Sequence, residues 1–322
     1  MDDERILPDS NLYYPQYDDI TNDWESETTS VGASIYQGLI DNGRRYQTLR
    51  ESGIHVPADE QMFEVYRIVH LVCLIADSHR ENPLFRAPIG KNPEHILDIG
   101  TGCGSWPIDV ADKFPEATVR GVDLFPPPVN WTPPNCILEV DDILKSWTWR
   151  QPFDLIHLRV MDCAFTAEET KQVYKQCYDN LKPGGWIEQV EMSAFLESDD
   201  GTLPEDSIIR SWGPRMTMSA ERSGRRFGIM RTMRASIEEA GFVDVHVKNY
   251  KLPVGPWPKD KQLKETGAVN YYQWVDGMEG YCLWLLTKFG VPEPWSKEEV
   301  MVLVAKMRKA FANPRVHCYH KQ

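Results

Sequence analysis

The chain of 322 residues has few cysteines, and none of them stands at a spacing that builds a framework. Its seven cysteines include no Cys-x-x-Cys pair, and no two histidines stand at the spacing of zinc motifs. These absences argue against a disulfide-stapled secreted fold and against a structural metal site. No apolar run approaches the length of about 20 residues that crosses a bilayer, and the first residues carry no apolar signal region. The sequence therefore predicts a soluble intracellular protein with reduced thiols, no metal and no membrane contact.

Basic charge is also in short supply. Lys and Arg number 35 against 48 Asp and Glu, which gives a formal net charge of −13 and a pI near 5.1. Nucleic-acid binding depends on the neutralisation of phosphates, so this balance predicts no nucleic-acid partner. The arginines that cluster between Arg210 and Arg234 are interpreted as a solvated helix face, with a local basic patch as the alternative.

What the chain does contain is a strand followed by a glycine-rich turn and a helix, in residues 95–106 (HILDIGTGCGSW). Ile96, Leu97 and Ile99 form the short apolar run of a strand that is covered on both faces. The glycines allow backbone N–H groups to approach a ligand, because no Cβ stands in the way. This pattern predicts a turn that holds a nucleotide-like ligand.

The spacing of the glycines separates two classes of ligand. A dinucleotide fingerprint has glycines at its first, third and sixth positions, but here the sixth position is Ser105 and the third glycine is Gly104. Asp98 stands two residues before the first glycine, where its carboxylate can accept hydrogen bonds or meet a cation. This arrangement suits S-adenosyl-L-methionine better than a pyrophosphate cofactor.

From residue 95 onward, short apolar strands alternate with helical segments, which predicts an α/β fold with a parallel sheet and right-handed crossovers. Beyond residue 192 helices predominate, although 243–252 alternates like a strand. The predicted strands are 95–99, 118–123, 136–140, 153–158 and 185–192. The predicted helices are 57–80, 105–114, 168–181, 205–222, 228–240, 262–289 and 296–312. A helix is also expected to start near residue 35 and to break at Asn42-Gly43.

The segment Asp98-Ile-Gly-Thr-Gly-Cys-Gly104 resembles the first motif of class I S-adenosylmethionine-dependent methyltransferases. Val119-Arg-Gly-Val-Asp123, Val140-Asp-Asp-Ile143 and Leu181-Lys-Pro-Gly-Gly-Trp-Ile187 are similar to further segments of that family, in order and spacing. The resemblance implies that Asp123 holds the ribose hydroxyls and that Asp142, with Asp141 as the second choice, meets the adenine amino group. The remaining candidate cofactor-binding residues are Asp98, Gly100, Thr101, Gly102, Gly104, Leu124, Ile143 and His157.

Segments outside these motifs resemble a narrower group, the LaeA-like methyltransferases of filamentous fungi. They include Asp41-Asn-Gly-Arg-Arg-Tyr46, Asp154-Leu-Ile-His-Leu-Arg159 and Asn313-Pro-Arg-Val-His-Cys-Tyr319. This resemblance implies that Arg44 and Tyr46 close over the cofactor, with ordinary contacts between a loop and the body as the alternative. It links the chain to secondary metabolism, either as a tailoring enzyme or as a nuclear regulator with a velvet-type protein partner.

The resemblance also implies an architecture: a Rossmann-like, mostly parallel seven-stranded sheet with N-terminal helices and a C-terminal helical cap. The expected regions are a flexible acidic arm (1–34), a helical lid (35–92), a cofactor-binding core (93–195) and a cap that carries the substrate region and the final strands (196–322). The final antiparallel strand of this class is expected within Val316 to Tyr319, or is absent.

The candidate catalytic residues are His157, Arg159 and Glu191. His157 and Arg159 lie two apart at the end of the fourth predicted strand and so share a face. His157 is interpreted as a general base and Arg159 as the ligand of a carboxylate; a structural histidine, and an arginine paired with an acid such as Asp162, are the alternatives. Glu191 follows the fifth strand near the expected pocket. Trp106 either contacts the cofactor or fills the core beneath its helix.

Two functions remain open at this stage. The first is an enzyme that methylates a small molecule on oxygen, nitrogen or a carboxylate, in the cytoplasm. The second is a regulator, nuclear in location, whose methyltransferase-like body binds a velvet-type partner. Methyl transfer mainly requires alignment and the exclusion of water, and alignment alone lowers a barrier by roughly 7–11 kcal/mol. The first function therefore needs neither a catalytic triad nor a metal.

Overall fold

A computed structural model describes residues 32–50, 56–225 and 227–322. The acidic arm expected at 1–34 lies almost entirely outside the described residues. The helices are α1 (Ala33–Gln37), α2 (Glu60–Ala76), α3 (Ser105–Lys113), α4 (Ala167–Asp179), α5 (Ile208–Arg222), α6 (Met233–Glu239), α7 (Lys261–Phe289) and α8 (Lys297–Phe311). The strands are β1 (Leu39–Asp41), β2 (Arg44–Tyr46), β3 (His95–Ile99), β4 (Thr118–Asp123), β5 (Cys136–Val140), β6 (Phe153–Arg159), β7 (Leu181–Val190), β8 (Leu196–Glu197), β9 (Lys251–Val254) and β10 (Cys318–Lys321).

The central sheet has five parallel strands in the order β5-β4-β3-β6-β7. The helix α3 connects β3 to β4 and α4 connects β6 to β7, and the α/β class predicted from the sequence is confirmed. The order reverses at β3, and a reversal of this kind opens a crevice beyond the carboxyl ends of the strands. The glycine turn follows β3 and so lies at that crevice.

Both faces of the central sheet are covered, which explains the continuous apolar runs of its strands. Alternate residues point to opposite faces. On one face Ile96 and Leu155 pack with Trp106 and Val110 of α3. On the other face Leu97, Ile99 and Ile156 pack with Val173 and Cys177 of α4.

The expectation of seven strands in one sheet is corrected by the structure. Among the described residues the central sheet holds five, and the last strands form a separate antiparallel sheet in the order β8-β10-β9. The physical reason is packing, because Leu196, Val254 and Cys318 are buried in the core of the cap rather than beside β7. The strand predicted at 243–252 is also wrong, because only Lys251–Val254 is a strand.

The stretch 243–250 forms no strand beside β7, so one edge of the central sheet stays open. β7 pairs with β6 on one side and, among the described residues, has no strand partner on the other. Residues 243–250 pass near this edge, where the rings of Trp186 and His246 stack with centroids 6.4 Å apart. The outer edge of β7 is therefore a place where space remains between chain segments.

The cap has its own hydrophobic core, made largely by α5, α7 and α8. The long α7 also packs along α2, which connects the cap to the N-terminal part of the described chain. Residues 39–46 form a β-hairpin, not the helix expected there, and its turn falls at the predicted break Asn42-Gly43. No helix in the described part of the chain is long and apolar enough to cross a membrane.

Candidate functional site

The glycine turn after β3 requires glycine for both its backbone angles and its close contacts. Gly100, Gly102 and Gly104 have φ of +72°, +57° and +79°, in the left-handed region that other residues rarely adopt. A Cβ on Gly100 would lie 2.5 Å from Sδ of Met161, and one on Gly102 would lie 3.1 Å from the ring of Tyr66. The backbone of the turn therefore lies in close contact with the side chains of Met161 and Tyr66.

The N–H groups of the three glycines are used within the protein, whereas the sequence predicted that they approach a ligand. Gly100 and Thr101 donate to the carbonyl oxygen of Val122, and Gly104 donates to that of Thr101. Gly102 donates to Oδ2 of Asp123 at 2.7 Å. The turn thus contributes space and a fixed backbone more than free donors.

Asp123 ends β4 and faces the glycine turn. Besides Gly102, its carboxylate accepts from the N–H of Leu124 at 2.7 Å and of Phe125 at 3.4 Å. A carboxylate has about four acceptor positions, so this one retains capacity for one further donor. Burial raises the pKa of Asp123, and these backbone donors oppose that rise. The geometry fits a carboxylate that is held in place and still able to accept from a hydroxyl group.

The end of β5 places two carboxylates beside Asp123. Asp141 donates its backbone N–H to the carbonyl oxygen of Asp123. Asp142 is half-buried and Asp141 is exposed, and Ile143 after them is buried. Oδ1 of Asp142 accepts from the N–H of Leu144 at 3.1 Å, which leaves acceptor capacity on this carboxylate.

These strand ends surround a cavity of about 200 Å³, called here the turn cavity. Phe63, Tyr66 and Val69 of α2 cover it from the other side. The hydroxyl oxygen of Thr101 is buried without a hydrogen-bond partner in the described structure. The predicted cofactor-binding residues that line this cavity are Asp98, Gly100, Thr101, Gly102, Asp123, Leu124, Asp141, Asp142 and Ile143.

Asp98 and His157 form a buried pair beneath the turn. Nδ1 of His157 lies 2.7 Å from Oδ1 of Asp98, and the two side chains are almost entirely inaccessible. The indole ring of Trp106 stacks on the imidazole, with centroids 3.9 Å apart. Trp106 itself is buried and donates to the carbonyl oxygen of Leu84. Trp106 therefore fills the core, and His157 has the partner expected of a structural histidine.

Arg44 and Tyr46 lie away from the lining of the turn cavity. Arg44 is buried and donates to both carboxylate oxygens of Asp59, at 2.6 and 2.8 Å. Asp59 caps α2 by accepting from the N–H of Met62, so Arg44 ties the β-hairpin to the start of that helix. Tyr46 is buried, and burial raises its pKa. These contacts match the alternative interpretation, contact between a loop and the body.

Arg159 is held by a histidine rather than by an acid. Its Nη1 lies 3.1 Å from Nδ1 of His70, whose Nε2 lies 2.8 Å from Oδ2 of Asp109. Burial lowers the pKa of His70, which favours a neutral ring that accepts from Arg159 and donates to Asp109. Asp162, the partner considered from the sequence, instead accepts the N–H groups of Gly228 and Ile229.

Glu191 is buried directly after β7 and is only partly bonded. Its Oε1 accepts from the N–H of Met161 at 3.0 Å and from Nε2 of Gln189 at 2.6 Å. Its Oε2 has no hydrogen-bond partner among the described residues. Burial, with a contribution from the charge of Asp162, raises the pKa of Glu191 to about 8. This carboxyl group can exchange a proton near neutral pH.

A second cavity of about 540 Å³ runs along the open edge of β7 and is called here the edge cavity. Its walls include residues 83–88, 184–191 and 242–250. His157, Arg159 and Glu191 line it, and Arg159 also lines the turn cavity. The three candidate catalytic residues thus share one cavity, and Arg159 lies where the two cavities meet.

Sequence reasoning missed Tyr66 and Met161, the side chains that lie over the glycine turn. Tyr66 stands on the predicted helix 57–80, and no motif there singles it out. Met161 follows β6 in a stretch without a motif. Neither carries a local signal, because contact with the turn arises only when the strands and α2 come together. Among the described residues no group of His, Cys, Asp and Glu could hold a metal ion.

Comparisons with known proteins place these features in a family context. The methyltransferase domain family model matches residues 67–247. Methyltransferase pytC of Aspergillus terreus is 34% identical over 296 residues, which cover 92% of this chain and 89% of that protein. The secondary metabolism regulator LAE1 of Cochliobolus heterostrophus is 32% identical over 288 residues, with 87% and 91% covered. The probable methyltransferase tdiE of Emericella nidulans is 28% identical over 314 residues, with 96% and 92% covered.

Proposed function

We propose, from the premise that this chain belongs to the methyltransferase family of S-adenosyl-L-methionine-dependent enzymes, that it methylates a small molecule in secondary metabolism. The methyl acceptor is an oxygen, a nitrogen or a carboxylate group. The observation that carries the proposal is the turn cavity, in which the glycine turn and three carboxylates from two strand ends face the same space. The cofactor supplies a methyl group on a sulfonium, and the electron pair of the broken carbon–sulfur bond stays on sulfur.

The residues of the turn cavity fit this cofactor in three respects. The close approach at Gly100 and Gly102 leaves no room for a Cβ, so only a bare backbone borders the cavity there. Thr101, whose buried hydroxyl has no partner within the described structure, contributes to the cavity wall between these glycines. The acceptor positions left on Asp123 and Asp142 match hydroxyl and amino donors. We assign Asp123 to the ribose hydroxyls and Asp142, the more buried of its pair, to the adenine amino group.

The division of the chain proposed here follows the lining of this cavity. Residues 93–195 form the cofactor-binding core, because the strand ends at the cavity belong to them. Residues 35–92 act as the lid, which is supported by the position of Phe63 and Tyr66 of α2 over the turn. Residues 196–322 form the cap. His157 and Trp106 serve here as support for Asp98, while Arg159 and Glu191 are the groups left to act on the acceptor.

The experiment that tests the proposed function is calorimetric titration with S-adenosylhomocysteine. We expect the wild type to bind, and Asp123→Ala to weaken binding roughly tenfold to a hundredfold, the range for a hydrogen bond to a charged group. Asp123→Asn, which keeps the shape, controls for the loss of the contact with Gly102. Asp112→Ala, an exposed position on α3, is the matched control. No binding by the wild type would contradict the proposal.

A second function is favoured by one observation, the likeness to the regulator LAE1 over 87% of this chain. In this alternative the protein acts in the nucleus through a velvet-type protein partner rather than through a small-molecule product. Purification from the native cell discriminates the two. A stoichiometric protein partner without a methylated metabolite supports the regulator, whereas a methylated metabolite that disappears with Asp123→Ala supports the cytoplasmic enzyme.

A further inference from the structure

The edge cavity has the size and lining of a ligand site. Its volume of about 540 Å³ lies within the range of roughly 300–1,000 Å³ that is typical of small-molecule pockets. Much of the wall is apolar and is formed by Phe85, Trp186, Ile187, Ile237 and the valines of 243–247. This composition fits a largely apolar molecule.

Two polar groups in this cavity retain hydrogen-bonding capacity. Oε2 of Glu191 is buried without a partner in the part of the chain that the structure describes. Arg159 contacts His70, and no carboxylate within the described ranges lies at ion-pair distance from its guanidinium. Buried polar groups in proteins nearly always have partners, so the unpartnered oxygen of Glu191, in the same cavity as Arg159, requires an explanation.

Two other polar groups of the cavity, Glu188 and Arg86, contrast with Glu191 and Arg159. Oε2 of Glu188 accepts from the N–H groups of Arg86 and Ala87, at 2.7 and 2.6 Å. Arg86 pairs with Asp77 and with the hydroxyl of Tyr250. These groups are satisfied by the protein itself, whereas Glu191 and Arg159 are not.

Glu191 and Arg159 stand on neighbouring strand ends. Arg159 is paired in register with Val190, the residue before Glu191. Glu191 is also linked to the glycine turn, because its Oε1 holds the backbone of Met161 and Sδ of Met161 lies over Gly100. The two groups thus stand at the end of the edge cavity that meets the turn cavity.

We propose that the edge cavity is the acceptor site and takes a largely apolar molecule with an acidic hydroxyl group, a phenol or an enol, whose oxygen lies between Glu191 and Arg159. This inference rests on the proposed function. The hydroxyl proton moves to Oε2 of Glu191, and Arg159 stabilises the oxyanion, which then takes the methyl group. The proton leaves Glu191 for solvent after the product departs. A base whose pKa lies near the working pH suits an acceptor hydroxyl of weak acidity.

The first experiment asks whether the full-length protein recognises an acidic hydroxyl. The probe is 2-naphthol, and its methyl ether, 2-methoxynaphthalene, is the matched control without the proton. Binding is followed by probe fluorescence. We expect the phenol to bind roughly tenfold or more tightly than the ether, since only the phenol donates to Glu191. Equal affinities, or no binding of the phenol near its solubility limit, would overturn the inference.

The second experiment locates the binding site. Val245→Trp and Met233→Trp place a large ring in the edge cavity from two different segments. We expect both to lower 2-naphthol affinity about tenfold or more, while S-adenosylhomocysteine binding stays as in the wild type. Val302→Trp, at an exposed position of α8, should change neither. Unchanged 2-naphthol binding in both cavity variants would overturn the inference and leave the proposed function standing. If the wild type does not bind S-adenosylhomocysteine, the result would instead contradict the proposed function.

The third experiment tests the role of Glu191 through a pH profile. The ionisable groups around it are Asp162 after β6, Tyr174 on α4, and His157 and Arg159 of β6 in the same cavity. We expect 2-naphthol affinity of the wild type to rise as pH passes through about 8, where Glu191 ionises. Glu191→Gln should lack this step, because its amide does not ionise in this range. A step that survives in Glu191→Gln would assign the titration to another group and overturn the proton transfer.

Discussion

The two cavities of this protein differ in how the protein holds the buried carboxylates that line them. Around the turn cavity, Asp123 accepts three backbone N–H groups, Asp98 is paired with His157, and the turn donates to neighbouring carbonyls. At the edge cavity, Glu191 keeps an oxygen without a partner within the described structure. Several backbone donors hold Asp123 in place, so the acceptor position that it keeps is preorganised. The unpartnered oxygen of Glu191 is open to a donor from an acceptor molecule. The difference supports a rigid cofactor site beside an acceptor site.

The largest effect is expected from removal of the buried pair of Asp98 and His157 at the turn cavity. We expect Asp98→Ala to lower the free energy of unfolding by about 3–5 kcal/mol, because His157 loses its partner in the core. Urea denaturation followed by circular dichroism measures this loss. Asp179→Ala, which breaks the exposed pair with Lys175 on α4, should cost less than about 0.5 kcal/mol. Similar losses in the two variants would show that the first pair does not support the turn.

The next test addresses the free carboxyl group of the edge cavity through stability. The pKa of Glu191 is raised to about 8 in the folded protein, whereas its pKa in the unfolded chain is near 4.3. Between these two pH values the folded state holds one more proton than the unfolded state. Stability must then fall as pH rises from about 5 toward 8, by up to about 1.4 kcal/mol per pH unit. We expect Glu191→Gln to flatten this decline in thermal melts. A variant whose melting temperature follows the same pH dependence as the wild type would contradict the assignment.

The smallest expected difference separates two glycines with similar backbone angles. Gly100 and Gly184 both have positive φ, so alanine costs each about 1–2 kcal/mol of strain. Only Gly100 has a neighbour, Sδ of Met161, within reach of the new Cβ; no atom lies within 4 Å at Gly184. We therefore expect Gly100→Ala to destabilise by roughly 1 kcal/mol more than Gly184→Ala. Equal melting temperatures would indicate that Met161 moves aside without cost.

The central sheet could be predicted from the sequence because its signals are local. β3, β4 and β5 have the bounds that the apolar runs and flanking turns predict, since a strand covered on both faces is a continuous apolar run. The carboxylates at the turn cavity follow from these strands, because the carboxyl ends of parallel strands meet at one edge of the sheet. Their roles toward the cofactor stay predictions.

The edge cavity and the contact of Arg159 could not be predicted, because both depend on contacts between segments that are distant in the sequence. The alternation of Val243, Val245 and Val247 has the period of a strand, but the strand that forms is 251–254, which pairs with β10. The edge cavity arises because 243–250 passes the edge of β7 without pairing with it. Similarly, nothing near Arg159 in sequence indicates that His70, from a helix far earlier in the chain, would hold it.

The order of strands in the small sheet has a consequence for synthesis of the protein. β10 lies between β8 and β9, and the outer strands do not pair with each other. During translation, β8 is synthesised roughly several seconds to tens of seconds before its partner β10, at residues 318–321. It cannot pair in this sheet until β10 has been synthesised. The parallel sheet, whose strands are all made before β8, can assemble during that interval. The cap therefore closes last, around a core that already exists.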